Sequence, residues 1–153
     1  MSKVFGYPKF DEYGEMILTT YDNDYKAMMM DIRVYSMKVG YSRTFKRDGE
    51  EIAVLLLLGK VTYTWEDEKA TVSRKDVFTE GPWALHVSGG KEIIVTAEEE
   101  SEILVQCTHN DKTFASKLYS PDDAPWGYSS VVKFGNVAKR SEERRVGKEC
   151  TTV

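Results

Sequence analysis

The stretch GEEIAVLLLLGKVTYTWEDEKATV, residues 49–72, begins with two carboxylates after its glycine, runs through seven consecutive apolar residues, breaks at Gly59 and then alternates between apolar and polar side chains. Successive strand residues point to opposite faces of a sheet, so the alternating half predicts a strand with one face in the core. A run that is apolar at every position is typical of a strand covered on both sides. We therefore expect residues 52–58 to form the best-buried strand and Gly59 to be the corner where the chain leaves it.

Period-two patterns recur along the rest of the chain. Apolar and polar residues alternate at residues 61–65 and 83–87, and short apolar or β-branched runs occupy residues 93–97 and 103–107. Glycine and proline separate these segments at roughly the 8 to 12 residue intervals of antiparallel sandwiches and barrels. No window in the first 140 residues has the period of a long amphipathic helix. We therefore predict an all-β fold. A further half-buried strand is expected at residues 26–37, with Met28, Met30, Ile32 and Val34 on its apolar face and Met29, Asp31 and Arg33 on the other.

Composition limits the possible partners. The 153 residues are 41% hydrophobic and 30% charged, as expected for one soluble domain. A formal charge of -4 gives little reason to expect nucleic acid or an anionic membrane as a partner, because phosphate binding needs clustered Lys and Arg. The longest apolar run is far too short to cross a bilayer, and the N-terminus lacks the pattern of a signal peptide. We expect a cytoplasmic protein with no membrane association.

Cysteine and histidine are scarce. Cys107 lies inside an apolar pattern and is expected to be a small core residue, whereas Cys150 lies near the end of the sequence. His86 lies on an alternating strand pattern, opposite its apolar residues, and is expected to be satisfied or to face solvent. His109 is expected in a turn. Two histidines so far apart, without a third, are weak evidence for a metal site.

The segment order resembles a cupin, a small jelly-roll barrel. The resemblance consists of a strand, Gly40, a charged loop, Glu51, the apolar run, Gly59, an alternating strand and the segment VSRKDVFTEGPWALHVSGGKEIIVTA at residues 72–97. It implies an antiparallel jelly-roll barrel.

In this sequence other residues occupy the positions at which the cupin motif has its metal ligands. Metal-binding cupins carry a first motif of Gly, five residues, His-x-His, three or four residues, Glu, six residues and Gly. Counting from Gly40 puts Lys46 and Asp48 at the two histidine positions, and Glu51 misses the glutamate position by one residue. Ile93 stands near the position of the third histidine. Since an ammonium group or an isoleucine cannot coordinate a cation, the resemblance implies a cupin without a metal.

Residues 25–140 resemble more specifically the N-terminal half of the 5-deoxy-glucuronate isomerase family of myo-inositol breakdown, which is related to the uronate ketol-isomerases. The most specific parts are LLLLGKVTYT, RKDVFTEGPWALHVSGG and KLYSPDD followed by YSSVVKFGNVAKR. Chains of that family hold two cupins, and the divalent metal belongs to the C-terminal one. The resemblance therefore implies an N-terminal cupin at residues 1–140 with no catalytic, cofactor-binding or metal-binding residue of its own. The implied substrate of the full-length parent is a small sugar acid, and a homo-oligomer is possible.

The end of the sequence differs from the rest. Residues 141–153, SEERRVGKECTTV, have no apolar periodicity and mix both charges. We expect a charged tail that is either a frayed terminus or foreign to the parent gene, and we favour the second because the resemblance stops where the composition changes.

Several side chains could contact a ligand, and each has a structural explanation. Glu50 and Glu51 could act as bases, but neighbours on a strand face opposite ways, so a charged entrance to the strand is preferred. Arg74 and Lys75, just ahead of Asp76, could hold a carboxylate or belong to a solvated turn. The acidic run Glu98–Glu102 is expected to be a soluble turn at a sheet edge. Aromatic residues that could stack on a sugar or fill the core are Trp65, Trp83, Trp126, Tyr63 and Phe78.

Two functions remain open. The chain is either the N-terminal part of a 5-deoxy-glucuronate isomerase, which supports the second barrel, or a metal-free cupin that binds a small ligand or dimerises. The first function predicts exposed apolar surface near residues 125–137, where Trp126, Tyr128, Val131, Val132 and Phe134 cluster, and the second predicts that these residues are buried.

Overall fold

The computed structural model describes residues 6–123. Their regular structure consists of nine β-strands and a single 3-10 turn at Lys26–Met28, so the prediction of an all-β fold is confirmed. Within these residues no helix has the length and apolar character needed to cross a membrane. The strands are β1 Glu15–Thr19, β2 Asp31–Met37, β3 Ser42–Lys46, β4 Glu50–Trp65, β5 Glu68–Arg74, β6 Trp83–Val87, β7 Glu92–Ala97, β8 Ser101–His109 and β9 Lys117–Tyr119.

The strands form two antiparallel sheets that share the long strand β4. The first half of β4 pairs with β8 and β6, in a sheet ordered β1-β2-β8-β4-β6-β9 that we call sheet A. The second half pairs with β5 and β7, and β7 pairs with β3, which completes sheet B. The inner faces of both sheets contribute to one hydrophobic core.

Gly59 lies where β4 passes from sheet A to sheet B. The ladder to β8 is irregular between Leu56 and Leu58, and Gly59 has φ +107°. A Cβ atom there would collide with the Ser101 side chain and the Glu100 carbonyl oxygen, so only glycine fits. The corner expected at Gly59 is therefore a change of sheet within a continuous strand.

The apolar run is covered on one face only. Ile52, Val54 and Leu56 point inward with no exposed surface, whereas the alternate residues 53, 55 and 57 are only half-buried and Leu58 is 42% exposed. The expectation that residues 52–58 are covered on both faces is wrong, because no described strand lies over the outer face of sheet A. The second half of β4, residues 61–65, is the more deeply buried part of the strand.

The prediction for residues 26–37 is wrong in its start and in its phase. The strand begins at Asp31, after the 3-10 turn, and Met28 and Met29 are exposed. Pairing with β8 places Asp31 opposite Cys107 and Tyr35 opposite Ile103, two inward-facing residues. Asp31, Arg33, Tyr35 and Met37 therefore share the inner side, and Ile32 and Val34, which were expected there, lie on the other face, where Val34 is nevertheless buried at 5% exposure.

The remaining strand predictions are confirmed. Residues 61–65 and 83–87 alternate as expected, and residues 93–97 and 103–107 fall within β7 and β8. The acidic run forms the turn between these two strands at residues 98–100, before Ser101 starts β8. The apolar cluster at residues 125–137, the tail at 141–153 and Cys150 lie outside the described residues.

Candidate functional site

At one end of the sandwich two turns join the sheets, and we call this end the mouth. Residues 47–49 link β3 to β4, and residues 88–91 link β6 to β7. The two turns are tied together, because the Gly90 amide donates a hydrogen bond to the Arg47 carbonyl oxygen at 2.8 Å. A polar end above an apolar interior is where a jelly-roll barrel can hold a ligand.

The four positions at which the cupin motif would place metal ligands do not converge at the mouth. Lys46 is exposed at the end of β3, and Asp48 is exposed in the following turn. Glu51 lies on the outer face of sheet A, where it meets His86. Ile93 faces the core with no exposed surface. Among residues 6–123 no group of three or more His, Cys, Asp and Glu side chains could hold a metal ion, so these residues do not fit the metal of the family.

Asp31 and Arg33, which the sequence pattern predicts on the outer face, lie instead on the inner side of β2. Arg33 Nε and Nη2 donate to the two carboxylate oxygens of Asp31 at 2.8 and 3.0 Å, a bidentate pair. Arg33 Nη1 also donates to Glu15 Oε2 at 3.2 Å, and the Tyr35 hydroxyl donates to the same oxygen at 2.8 Å. Asp31 is only 5% exposed, so these bonds satisfy a carboxylate that has left water.

Arg47 extends this arrangement to β4. Its Nη2 lies 3.4 Å from Asp31 Oδ2, and its Nη1 donates to Glu50 Oε1 at 3.3 Å. The Tyr21 hydroxyl donates to the same Glu50 oxygen at 2.8 Å and lies 3.3 Å from the Cys107 carbonyl oxygen. We call the continuous set the mouth network; it consists of Tyr35, Glu15, Arg33, Asp31, Arg47, Glu50 and Tyr21.

Burial and pairing shift the pKa of a thiol, two tyrosine hydroxyls and a guanidinium at or beside the mouth. Burial raises the pKa of the Cys107 thiol to about 11, so the thiol stays protonated at neutral pH. Burial, reinforced by a hydrogen bond to a carboxylate, also raises the pKa of the Tyr21 and Tyr35 hydroxyls. The hydrogen bond to Asp31 raises the pKa of the Arg33 guanidinium. These groups provide neither a thiolate nor a phenolate near neutral pH.

Tyr21 covers the network from the loop between β1 and the 3-10 turn. Its ring stacks on the imidazole of His109 with 4.3 Å between ring centroids and 21° between the ring planes. His109 is the last residue of β8 rather than a turn residue, which corrects the expectation from the sequence. The stacked pair places an aromatic cover over Glu50 and the Arg47 side chain bonded to it.

Glu50 and Glu51 face opposite ways, as expected from strand geometry. Glu51 Oε1 lies 3.3 Å from His86 Nε2, and its other oxygen accepts a hydrogen bond from the Asn110 amide. The His86 ring also packs against Phe114 at 4.5 Å between centroids. The expectation of a satisfied histidine is confirmed, and the two glutamates cannot act on one atom.

Arg74 is buried and bonded to the backbone, and it is not part of a solvated turn. It is 7% exposed, and its guanidinium donates to the carbonyl oxygens of Glu80, Leu56 and Val77 at 3.0, 3.1 and 3.2 Å. Burial lowers its pKa. Arg74 therefore fastens the loop after β5 to sheet A, while Lys75 is exposed.

The candidate aromatic residues divide between core and surface. Tyr63 and Trp65 are buried in the core, and Trp83 is partly buried against it. Phe78 is 85% exposed, so it fills no core, and Trp126 lies outside the described residues.

The chain also resembles known proteins. A family model described as the KduI/IolB family matches residues 6–146. No curated protein sequence matches the chain significantly. Among solved structures, an IolB-like protein from Salmonella typhimurium LT2 is similar at 19% identity and a TM-score of 0.66, over 78% of this chain and 47% of that protein.

Two further structures show the same fold. Protein Ylba from E. coli has 14% identity and a TM-score of 0.57, over 77% of this chain and 50% of its own. A predicted oxalate decarboxylase from Thermotoga maritima has 13% identity and a TM-score of 0.51, over 63% of this chain and 79% of its own. This chain thus spans about half the length of the first two proteins. The expected cupin-type jelly roll is confirmed, and since the family model covers most of the sequence, the chain belongs to the KduI/IolB family.

Proposed function

We propose that this chain provides the metal-free cupin of a sugar-acid isomerase that converts 5-deoxy-glucuronate into 5-dehydro-2-deoxy-gluconate in inositol catabolism. In this proposal the catalytic metal belongs to a second cupin, and the present barrel supports that cupin by packing. The observation that carries the proposal is the filled interior, where Ile93 occupies the region of a metal ligand and Ile52, Val54 and Leu56 have no exposed surface. Membership of the KduI/IolB family supports the class of reaction.

The chemistry of the described residues agrees with a supporting role. Moving a proton between the two carbons of an aldose-ketose pair needs a base near C2 and a group that stabilises the enediolate oxygen. The carboxylates of Asp31 and Glu50 are bonded to guanidinium groups, and the Cys107 thiol is protonated at neutral pH. None of these groups is placed to act as a free base in the interior.

An isomerase assay tests the proposal. The purified chain, incubated with 5-deoxy-glucuronate and either Mn²⁺ or Zn²⁺, should give no more ketose acid than a protein-free control, while a bacterial 5-deoxy-glucuronate isomerase in the same buffer should turn over. Metal-dependent turnover by this chain alone would contradict the proposal. A sample purified in the same way from cells that do not express the chain accompanies the assay and measures turnover by contaminating enzymes.

A further inference from the structure

A cleft of about 650 Å³ lies away from the mouth, between the N-terminal segment and the connection from β2 to β3. Its volume falls within the roughly 300 to 1,000 Å³ usual for small-molecule sites. We call it the aromatic cleft and define it by five of the side chains that line it, namely Phe10, Tyr13, Lys38, Tyr41 and Arg43.

The three rings of the aromatic cleft are held out of the core. Tyr13 is 74% exposed, Tyr41 is 63% exposed and Phe10 is 42% exposed. Within the described residues no ring stacks on them, and neither tyrosine hydroxyl makes a hydrogen bond. Covering an exposed aromatic ring with a ligand is energetically favourable. Single exposed rings are common on protein surfaces, whereas three rings around one cleft indicate a binding surface.

The cationic side chains of the cleft have unused donors. The Lys38 amine has no ion pair or hydrogen bond among the described residues. Arg43 lies 4.4 Å over the Tyr35 ring and donates through Nη2 to the Tyr13 carbonyl oxygen, which fixes its position and leaves its Nε and Nη1 without an acceptor in residues 6–123. A fixed guanidinium and a free ammonium can hold a carboxylate by charge-assisted hydrogen bonds.

Two carboxylates also line the cleft, and they must be weighed against the cations. Asp11 accepts hydrogen bonds from the amides of Tyr13 and Glu15 at 2.8 and 2.9 Å, so its charge is directed to the backbone. These bonds lower the pKa of Asp11. Glu12 has no such partner and is exposed, where solvent screens it. The cleft thus carries two cationic and two anionic side chains, and Asp11 also attracts Arg43. What favours a carboxylate ligand is the set of unused donors on Lys38 and Arg43, not a net positive charge.

We propose that the aromatic cleft binds a monosaccharide carboxylate, with its ring against Tyr13 and Tyr41 and its carboxylate on Lys38 and Arg43. The geometry would suit any ring-bearing carboxylate of this size, and the choice of a sugar acid rests on the proposed function. No residue that defines the cleft belongs to the mouth network, although Arg43 lies over the ring of Tyr35, which does.

A binding titration tests this site. D-glucuronate should bind saturably to the purified chain in calorimetry, and Tyr41→Ala and Lys38→Met should each weaken binding at least about fivefold. D-glucose, which keeps the ring without the carboxylate, should bind at least about fivefold more weakly than glucuronate. The matched controls are Phe78→Ala, whose ring is 85% exposed outside the cleft, and Lys75→Met, and both should bind glucuronate like the parent chain.

The outcomes separate this proposal from the proposed function. Absence of saturable glucuronate binding, equal binding of acetate, or equal loss in Phe78→Ala and Tyr41→Ala would each overturn the cleft assignment, and none of them bears on isomerase activity. Metal-dependent turnover by this chain would overturn the proposed function and would leave glucuronate binding in the cleft unaffected. Because the altered side chains are exposed, thermal melting by circular dichroism should show every variant folded as the parent chain.

Discussion

Strands β4 and β2 flank β8 and contribute to the same interior with opposite chemistry. Cys107 of β8 lies between Ile52 and Asp31, and Val105 lies between Val54 and Arg33. In these two pairs the β4 residues, Ile52 and Val54, are apolar and fully buried. The β2 residues in the same two pairs are a carboxylate and a guanidinium in a bidentate interaction, and further along β2 Tyr35 and Met37 join the hydrophobic core.

The difference shows two ways of removing a side chain from water in one barrel. Burying an aliphatic side chain is favourable by about 1.5 to 3 kcal/mol and requires only that its volume be filled. Burying a carboxylate is unfavourable unless its charge is paired and its oxygens accept hydrogen bonds. The β4 wall should therefore depend on volume and apolarity, and the β2 wall on the completeness of the mouth network.

The largest effect is expected on the β4 wall. Leu56→Asp would place an unpaired carboxylate in the core and should abolish soluble folding, a loss of more than about 4 kcal/mol. Leu56→Ala should still fold and should lose about 3 kcal/mol of unfolding free energy in urea, because a cavity replaces the side chain. The matched control is Leu58→Asp on the same strand, which is 42% exposed and should change stability by less than about 1 kcal/mol. Normal expression and melting of Leu56→Asp would remove Leu56 from the core.

A substitution on the β2 wall should reduce the free energy of unfolding by less than Leu56→Asp does. Asp31→Asn keeps the size of the side chain but leaves Arg33 and Arg47 without their shared carboxylate, which should cost about 2 kcal/mol because both guanidinium groups are partly exposed. Asp22→Asn, an exposed change in the loop that carries Tyr21, is the control and should be neutral. Urea unfolding of both variants measures the effect. Equal stability of Asp31→Asn and the parent chain would show that the network contributes little.

The Tyr21 hydroxyl, at the mouth, should contribute less to the free energy of unfolding than Asp31 does. Tyr21→Phe keeps the ring on His109 but removes the hydrogen bond to Glu50, so a loss of about 1 kcal/mol is expected. Tyr7→Phe, at an 88% exposed position, is the control. If the two variants melt at the same temperature, the Tyr21 hydroxyl does not hold the cover.

The smallest effect appears only at high pH. Burial raises the pKa of Cys107 from 9.0 to about 11, so the folded chain keeps a proton that the unfolded chain loses. The resulting stabilisation is complete below pH 9 and is lost as the pH rises towards 11. Urea midpoints should therefore fall between pH 9 and 11 in the parent chain and in Cys150→Ser, and fall less in Cys107→Ala. A parallel fall in all three would assign the loss to other groups, such as the buried tyrosines.

The apolar half of the fold could be predicted from the sequence. Alternation at residues 61–65 and 83–87 reports one buried face directly, and glycine at residues 49 and 90 marks turns that the structure contains. The buried face of residues 52–58 could not be predicted in this way, because a run that is apolar on both faces does not indicate which face is covered. Only the pairing of β4 with β8 and β6 fixes that choice.

The mouth network could not be predicted from period alone. In residues 31–37 both faces of the strand carry apolar residues, so alternation does not identify the buried face. Hydropathy predicts Asp31 and Arg33 on the outside, because it treats each charge alone and ignores that paired charges can be buried. A signal was nevertheless present, since Tyr35 and Met37 continue the phase of these charges into the core. Glu15, Arg47 and Tyr21 come from distant segments, and only the fold brings them to Asp31.

The most direct test of the account is the metal content of the purified chain. After incubation with Mn²⁺, Fe²⁺ or Zn²⁺ and desalting, elemental analysis should find far less than one equivalent per chain, since Ile93 and the paired carboxylates leave no convergent set of donors among the described residues. One tightly held equivalent that disappears in Asp31→Asn would contradict the claim that this barrel is a supporting cupin without a metal.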